Sequence, residues 1–193
     1  MKSLKFFAYF ALVVFASFAR AAEPAPAAST PDASLVARGK YLVTTSGCHD
    51  CHTPMKMTPE GPRPDFDRAL SGHPEQFVLG PAPQPPEGWM MTAAATNTAF
   101  AGPWGVSFTA NLTPDRETGL GKWTVRTFMD TIRTGRHLGR GREILPPMPI
   151  PMYKNFNDAD LTAIFTYLQS IPAVKNKVPD PRPPEPVKVA AGS

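Results

Sequence analysis

Cys48-His49-Asp50-Cys51-His52 places two thiols and an imidazole within five residues, in the order C-x-x-C-H. This is the attachment signature of a c-type haem. Two thioether bonds must reach neighbouring edges of one macrocycle, and the residue after the second cysteine must turn its ring to the central metal. Cys48 and Cys51 are therefore the expected covalent anchors, and His52 the expected proximal iron ligand. Other uses of the same residues explain less. A thioredoxin-like dithiol needs a βαβ context, and none follows. A zinc site needs four ligands, whereas both cysteines of the chain lie inside this motif. A structural disulfide leaves His52 unexplained.

Working outward toward the N-terminus, Lys2 and Lys5 precede an apolar run over residues 6–19 (FFAYFALVVFASFA). Ala19-Arg20-Ala21 then forms a small-x-small pattern, so residues 1–21 read as a signal peptide cut before Ala22. The run is shorter than the ~20 apolar residues that cross a bilayer. No later segment is long and apolar enough, so no membrane span is expected in the mature chain. Export, in a bacterium to the periplasm, is the expectation. Loss of Lys2, Lys5 and Arg20 lowers the formal charge from +4 to +1. The basic balance of the whole chain is thus partly a leader effect, and no nucleic-acid partner is expected.

The remainder has the length of one domain. The 24 prolines crowd between positions 54 and 103, around Met148 and after position 179. Proline is excluded from helix interiors, so these are loops and tails. Residues 22–32 read as a flexible lead-in, 33–178 as the folded domain with a long loop at about 53–109, and 179–193 as a mobile Pro-rich tail. Three helices are predicted. The first covers about residues 32–46, capped by Asp32 or Ser34 and ended by Gly47. The second covers about 124–134, with Val125, Phe128, Met129 and Ile132 on one side and Gly135 as the stop. The third covers about 158–170, capped by Asn157 or Asp158, with Leu161, Ile164, Phe165 and Leu168 as its apolar stripe. No alternating run suggests a substantial sheet. Such a small core needs the apolar surface of a buried haem, so the apo chain is expected to fold poorly.

The iron's second ligand is sought among soft donors, because a thioether opposite histidine suits electron transfer. Met148 and Met152 lie in Leu145-Pro-Pro-Met-Pro-Ile-Pro-Met-Tyr153. Prolines 146, 147, 149 and 151 stiffen this segment, and Met148, bracketed by prolines, is preferred over Met152. Met129 belongs to a helix stripe, Met55 and Met57 lie too near the proximal side, and Met90 and Met91 are outside candidates. His73 and His137 are read as surface histidines rather than ligands.

Here a resemblance becomes usable. The signal sequence, the C-H-D-C-H motif and a Met-Pro loop before a final helix are similar to a class I cytochrome c. Asn111-Leu-Thr-Pro-Asp115, Thr118-Gly-Leu-Gly-Lys-Trp-Thr124, Pro147-Met-Pro149 and Tyr167-Leu-Gln-Ser-Ile-Pro172 resemble the monohaem cytochrome c domains of bacterial alcohol-dehydrogenase-type and dihaem cytochromes. The resemblance implies an all-α class I cytochrome c fold around one covalent haem c. It implies His52 and Met148 as axial ligands, and places Asn111, Thr113 and Trp123 near the haem edge or propionates. It also pairs the first and last helices, with Gly39 and Tyr41 facing residues 161–167. A second C-x-x-C-H, carried by dihaem relatives, does not occur in this sequence.

With both axial positions filled, the expected function is electron carriage between redox proteins, such as a periplasmic dehydrogenase and an oxidase or reductase, rather than enzyme catalysis. The alternative is a haem enzyme or gas sensor with an open or labile distal site. The 53–109 loop either covers the haem with Trp89, Phe100, Trp104 and Phe108 or docks a partner. Arg133, Arg136, His137, Arg140 and Arg142 form a basic loop that is solvated, pairs with propionates, or steers an acidic partner. Oligomeric state is not encoded in any feature of the chain.

Overall fold

Helix and loop in this protein are positioned by capping residues. In the computed structural model, which describes residues 32–184, the Asp32 carboxylate accepts from the Ser34 N–H at 2.8 Å and starts α1, Ala33–Thr45. Gly47, at φ +73°, then reverses the chain into the one-turn helix α2, Cys48–His52. The expected signal peptide, the lead-in to residue 31 and the tail beyond residue 184 lie outside the described residues.

The other two expected helices also form where the caps put them. α3, Val125–Thr134, runs from the Thr124 cap to the left-handed Gly135. After the short α4, Ile150–Tyr153, the final helix α5, Asp158–Ser170, begins at Asn157, whose side chain accepts from the Asp160 N–H at 2.7 Å. α1 packs on α5 with backbones in close approach at Gly39. A Cβ there would lie 2.0 Å from the Ala163 carbonyl oxygen and 2.7 Å from the Tyr167 Cβ. Tyr41, expected beside Gly39 at this crossing, instead points outward, 58% exposed, with the Arg38 guanidinium 5.7 Å from its ring centre.

Leu42 and Val43 of α1, Phe128 and Ile132 of α3, and Leu161, Ile164, Phe165 and Leu168 of α5 form the core with Leu70 and Leu120. The Phe128 and Phe165 rings meet at 5.5 Å. Burial of each such side chain contributes roughly 1.5–3 kcal/mol against the entropy of ordering the chain.

The all-α expectation is corrected. Residues 53–109 are not a structureless loop: they hold two small antiparallel sheets. β1 (Met55–Thr58) pairs with β2 (Gly61–Pro64), and β3 (Thr92–Ala93), β4 (Ala99–Gly102) and β5 (Gly105–Phe108) form the second sheet in that order. The fold is therefore mixed, with helices around the core and short hairpins at one side. Strands of two to four residues are too short to show alternation, and Pro62 and Pro64 sit in a two-stranded ribbon where missing donors face outward. Phe100 is buried and Phe108 meets His73 at a tilt, ring centres 4.9 Å apart, whereas Trp89 is 70% exposed.

The start of the Pro-rich tail is also held. Arg182 exchanges both backbone hydrogen bonds with Val106 of β5, at 2.8 and 2.9 Å. Among the described residues no helix is long and apolar enough to cross a membrane.

Candidate haem-binding site

A cavity of about 600 Å³ lies inside the helical core, within the ~300–1,000 Å³ typical of cofactor pockets. Its apolar wall takes Phe128, Ile132, Leu161, Ile164 and Leu168 from the stripes expected for the second and third helices, while Val125, Met129 and Phe165 of those stripes do not line it. Cys48, Cys51 and His52 line it from α2, and Met148 from the segment before α4. Asn111 and Trp123 line it too. Thr113, also expected near the haem edge, does not line it: it is fully buried and donates its hydroxyl to Asn111 Oδ1 at 2.7 Å.

His52 is 8% exposed, and its Nδ1 lies 2.8 Å from the Ala110 carbonyl oxygen. A carbonyl only accepts, so Nδ1 carries the proton and Nε2 keeps its lone pair. That is the tautomer a metal needs, with the outer hydrogen bond fixing the ring. Burial lowers the His52 pKa, with His49 adding to the shift and the Ala110 carbonyl opposing it.

Cys48 and Cys51 are free thiols three residues apart on one turn of α2. Burial pushes Cys48 up to about 11 and raises Cys51 as well, with the Asp50 carboxylate adding to both. A dithiol oxidoreductase has its attacking thiol shifted the other way, so this environment disfavours that use of the pair. Tyr153, which also lines the cavity, donates its hydroxyl to the Ser46 carbonyl and ties α4 to the turn before Cys48. Burial first, then the nearby cysteines, push the Tyr153 phenol up to about 12.

Met148 and Met152 separate clearly. Met148 is half-buried and lines the cavity, whereas Met152 is 70% exposed and does not. Asn111 is buried at 3% exposure, and its amide is already engaged. Its Nδ2 donates to Val174 O at 2.8 Å, and its Oδ1 accepts from the Thr113 hydroxyl at 2.7 Å. Its work is to clasp the chain after α5 to the loop before α3. Trp123 meets His137 edge-on at 5.5 Å.

Of the basic segment, only His137 and Arg142 line the cavity. Arg133 bonds Asp158 at 2.6 Å and the Lys154 carbonyl, and Arg136 bonds the Gly141 carbonyl at 3.0 Å. His137 is exposed, as expected. His73 is not a surface histidine. It is fully buried, with Nδ1 2.9 Å from the Thr98 hydroxyl and Nε2 3.0 Å from the Phe77 carbonyl oxygen.

Sequence reasoning missed the Ala110 carbonyl, Tyr153, Ser107 and Asn176. A backbone carbonyl carries no residue signature. Asn176, fully buried, joins Ser71, His73, Arg68 and Glu75 through hydrogen bonds of 2.7–3.0 Å. No local pattern around it announces that role.

The residues fit a covalent haem: two free thiols and a correctly oriented imidazole on one turn, a thioether in the same cavity, and apolar walls between them. No family-level sequence model matches the chain. Among curated proteins, it is 27% identical over 156 residues to the cytochrome c subunit of the quinone alcohol dehydrogenase of Gluconobacter oxydans, covering 79% of this chain and 25% of that protein. It is 24% identical over 169 residues to the fructose dehydrogenase cytochrome subunit of Gluconobacter japonicus, covering 84% and 27%. The chain carries a cytochrome c domain. A 28% match to a nicotinate dehydrogenase subunit of Pseudomonas putida covers 80% of the chain and 10% of that protein. This cytochrome domain thus spans between a tenth and about a quarter of the length of these relatives.

Proposed function

We propose that the chain is an exported electron-carrying cytochrome, with one haem bonded to Cys48 and Cys51 and axial ligands from His52 and Met148. The observation that carries this reading is that both thiols, the imidazole and the Met148 side chain line a single cavity. A haem held there supplies a one-electron ferrous–ferric couple. The chain's own part is to hold the group in apolar surroundings. His52 is locked by the Ala110 carbonyl, and α1 and α5 close the core behind it. The basic and apolar residues 1–21 support export to a periplasm.

The relatives named as cytochrome subunits of dehydrogenases support a dehydrogenase as electron donor. The test is spectroscopic. Purified protein is expected to show a covalently bound low-spin haem, with a ferric sulfur-to-iron charge-transfer band. Tight carbon monoxide binding to the reduced protein, without displacement of an existing ligand, overturns the carrier in favour of an open-site enzyme or sensor.

A further inference from the structure

The segment of residues 53–109 bonds to the cavity's lining at two ends. At the α2 end, Gly72 N–H donates to the His52 carbonyl at 2.8 Å, Asn97 Nδ2 donates to the Asp50 carbonyl at 2.8 Å, and Thr53 Oγ1 accepts from Leu70 N–H at 3.0 Å. At the other end, the Ser107 hydroxyl donates to the Pro146 carbonyl oxygen at 2.5 Å. The Phe100 carbonyl oxygen, at 3.4 Å, is the poorer acceptor for its single proton. Ser107 is 7% exposed and sits in β5, paired with Phe100 of β4.

Pro146 lies two residues before Met148 in a segment that prolines have stripped of backbone donors. On the C-terminal side, the Met148 carbonyl accepts from the Ile150 N–H at 2.9 Å and the Pro149 carbonyl from the Tyr153 N–H at 3.1 Å. On the N-terminal side, Pro146 and Pro147 offer no N–H, so that approach is restrained through its carbonyl groups, and Ser107 bonds one of them from a backbone-bonded strand. Its neighbour Val106 serves as a contrast within β5. Ser107 lines the large cavity, whereas Val106 lines a separate cavity of about 110 Å³.

We propose that Ser107 is a positioning residue for Met148: its hydroxyl holds the Pro146 carbonyl and so keeps the thioether aimed at the iron of a haem in the cavity. This rests on Met148 being the distal ligand. The inserted sheet then sets both axial groups, His52 through the neighbouring Ala110 carbonyl and Met148 through Ser107.

The test compares wild type, Ser107→Ala, Ser107→Thr and Val106→Ala as ferric holoproteins, titrated with imidazole, which competes with the thioether for iron. Reduction potential and the sulfur-to-iron band are recorded alongside. Ser107→Ala leaves the β4–β5 ladder intact because that ladder is backbone. It is expected to bind imidazole on the order of 5-fold more tightly, the equivalent of one lost hydrogen bond. Its band weakens and its potential falls, because ferrous iron depends most on sulfur. Ser107→Thr, which keeps a hydroxyl, and Val106→Ala, which loosens the sheet without touching Pro146, are expected to bind imidazole like wild type. Unchanged imidazole affinity in Ser107→Ala overturns the proposal, as does an equal gain in Val106→Ala. A wild type that has no sulfur band, or keeps it in Met148→Ala, overturns the ligand assignment and this inference with it. A band lost in Met148→Ala but indifferent to Ser107→Ala overturns the Ser107 role alone.

Discussion

The Nδ1 of His52 lies 2.8 Å from the carbonyl oxygen of Ala110, 58 residues further along the chain. The 109–110 peptide that carries it packs against the backbone of Gly72, where a side chain would not fit. A Cβ on Gly72 would come within 2.4 Å of Thr109 O and 2.6 Å of Ala110 O, at a backbone φ of +76°. Gly72→Ala is therefore expected to push the 109–110 peptide away from His52. Strain and overpacking together are expected to cost at least ~2 kcal/mol in denaturant unfolding. Weakening the bond to Nδ1 makes the imidazole a poorer donor to ferric iron, so the reduction potential is expected to rise. An unchanged potential in a destabilised variant contradicts the role given to Ala110.

Met148 lines the cavity and Met152 is exposed, so their alanine variants are expected to part company. Met148→Ala should lose the ferric sulfur-to-iron band and gain carbon monoxide binding when reduced. Met152→Ala should keep the band and change stability by less than about 0.5 kcal/mol. Absorption spectra of the two proteins settle the matter, and the reverse pattern assigns Met152.

Asn176 is fully buried and uses both ends of its amide. Nδ2 donates to Ser71 O at 2.7 Å and His73 O at 2.9 Å, while Oδ1 accepts from Arg68 at 3.0 Å and from the Glu75 N–H at 2.9 Å. Asn176→Ala strands buried donors and acceptors and is expected to cost about 3 kcal/mol or more. Asn176→Asp keeps the acceptor but aims a carboxylate at two carbonyls, so it should not rescue. Unfolding of the holoprotein in guanidinium measures both.

Burial lowers the pKa of His73, helped by the nearby Arg182 charge and opposed by the Phe77 carbonyl. The folded state therefore binds fewer protons than the unfolded chain just below the ordinary histidine value of about 6.5. The stability that His73 contributes is fully present above that value. It declines as pH falls through it toward the lower folded pKa. His49 and His137 are also shifted down, chiefly by burial. His73→Gln should thus flatten the loss of stability between neutral and mildly acidic pH without abolishing it. Denaturation midpoints across that interval check the slope, and a slope equal to wild type removes His73 from the account.

Much of the helical frame was legible because its signals are local. Asp32, Thr124 and Asn157 cap their helices, Gly135 ends one, and apolar residues at helical spacing mark the faces that line the cavity. The C-x-x-C-H run is likewise contiguous, and it forms the single turn Cys48–His52. The sheets were not, because hairpins of four residues carry too little pattern to outweigh surrounding prolines. The burial of His73 was missed because it depends on Thr98, Phe108 and Asn176, which come from distant parts of the chain.

The amino-acid sequence by itself grouped two thiols and an imidazole in five residues and put a proline-braced methionine at hand, since each rests on neighbouring residues. Only the tertiary structure decided how those groups are aimed. The Ala110 carbonyl selects the His52 tautomer, the Ser107 hydroxyl bonds the Pro146 carbonyl two residues before Met148, and Asn176 clasps residues 71–75. These are hydrogen bonds across tens of residues, several to backbone atoms that every residue shares, and no one-dimensional pattern records them.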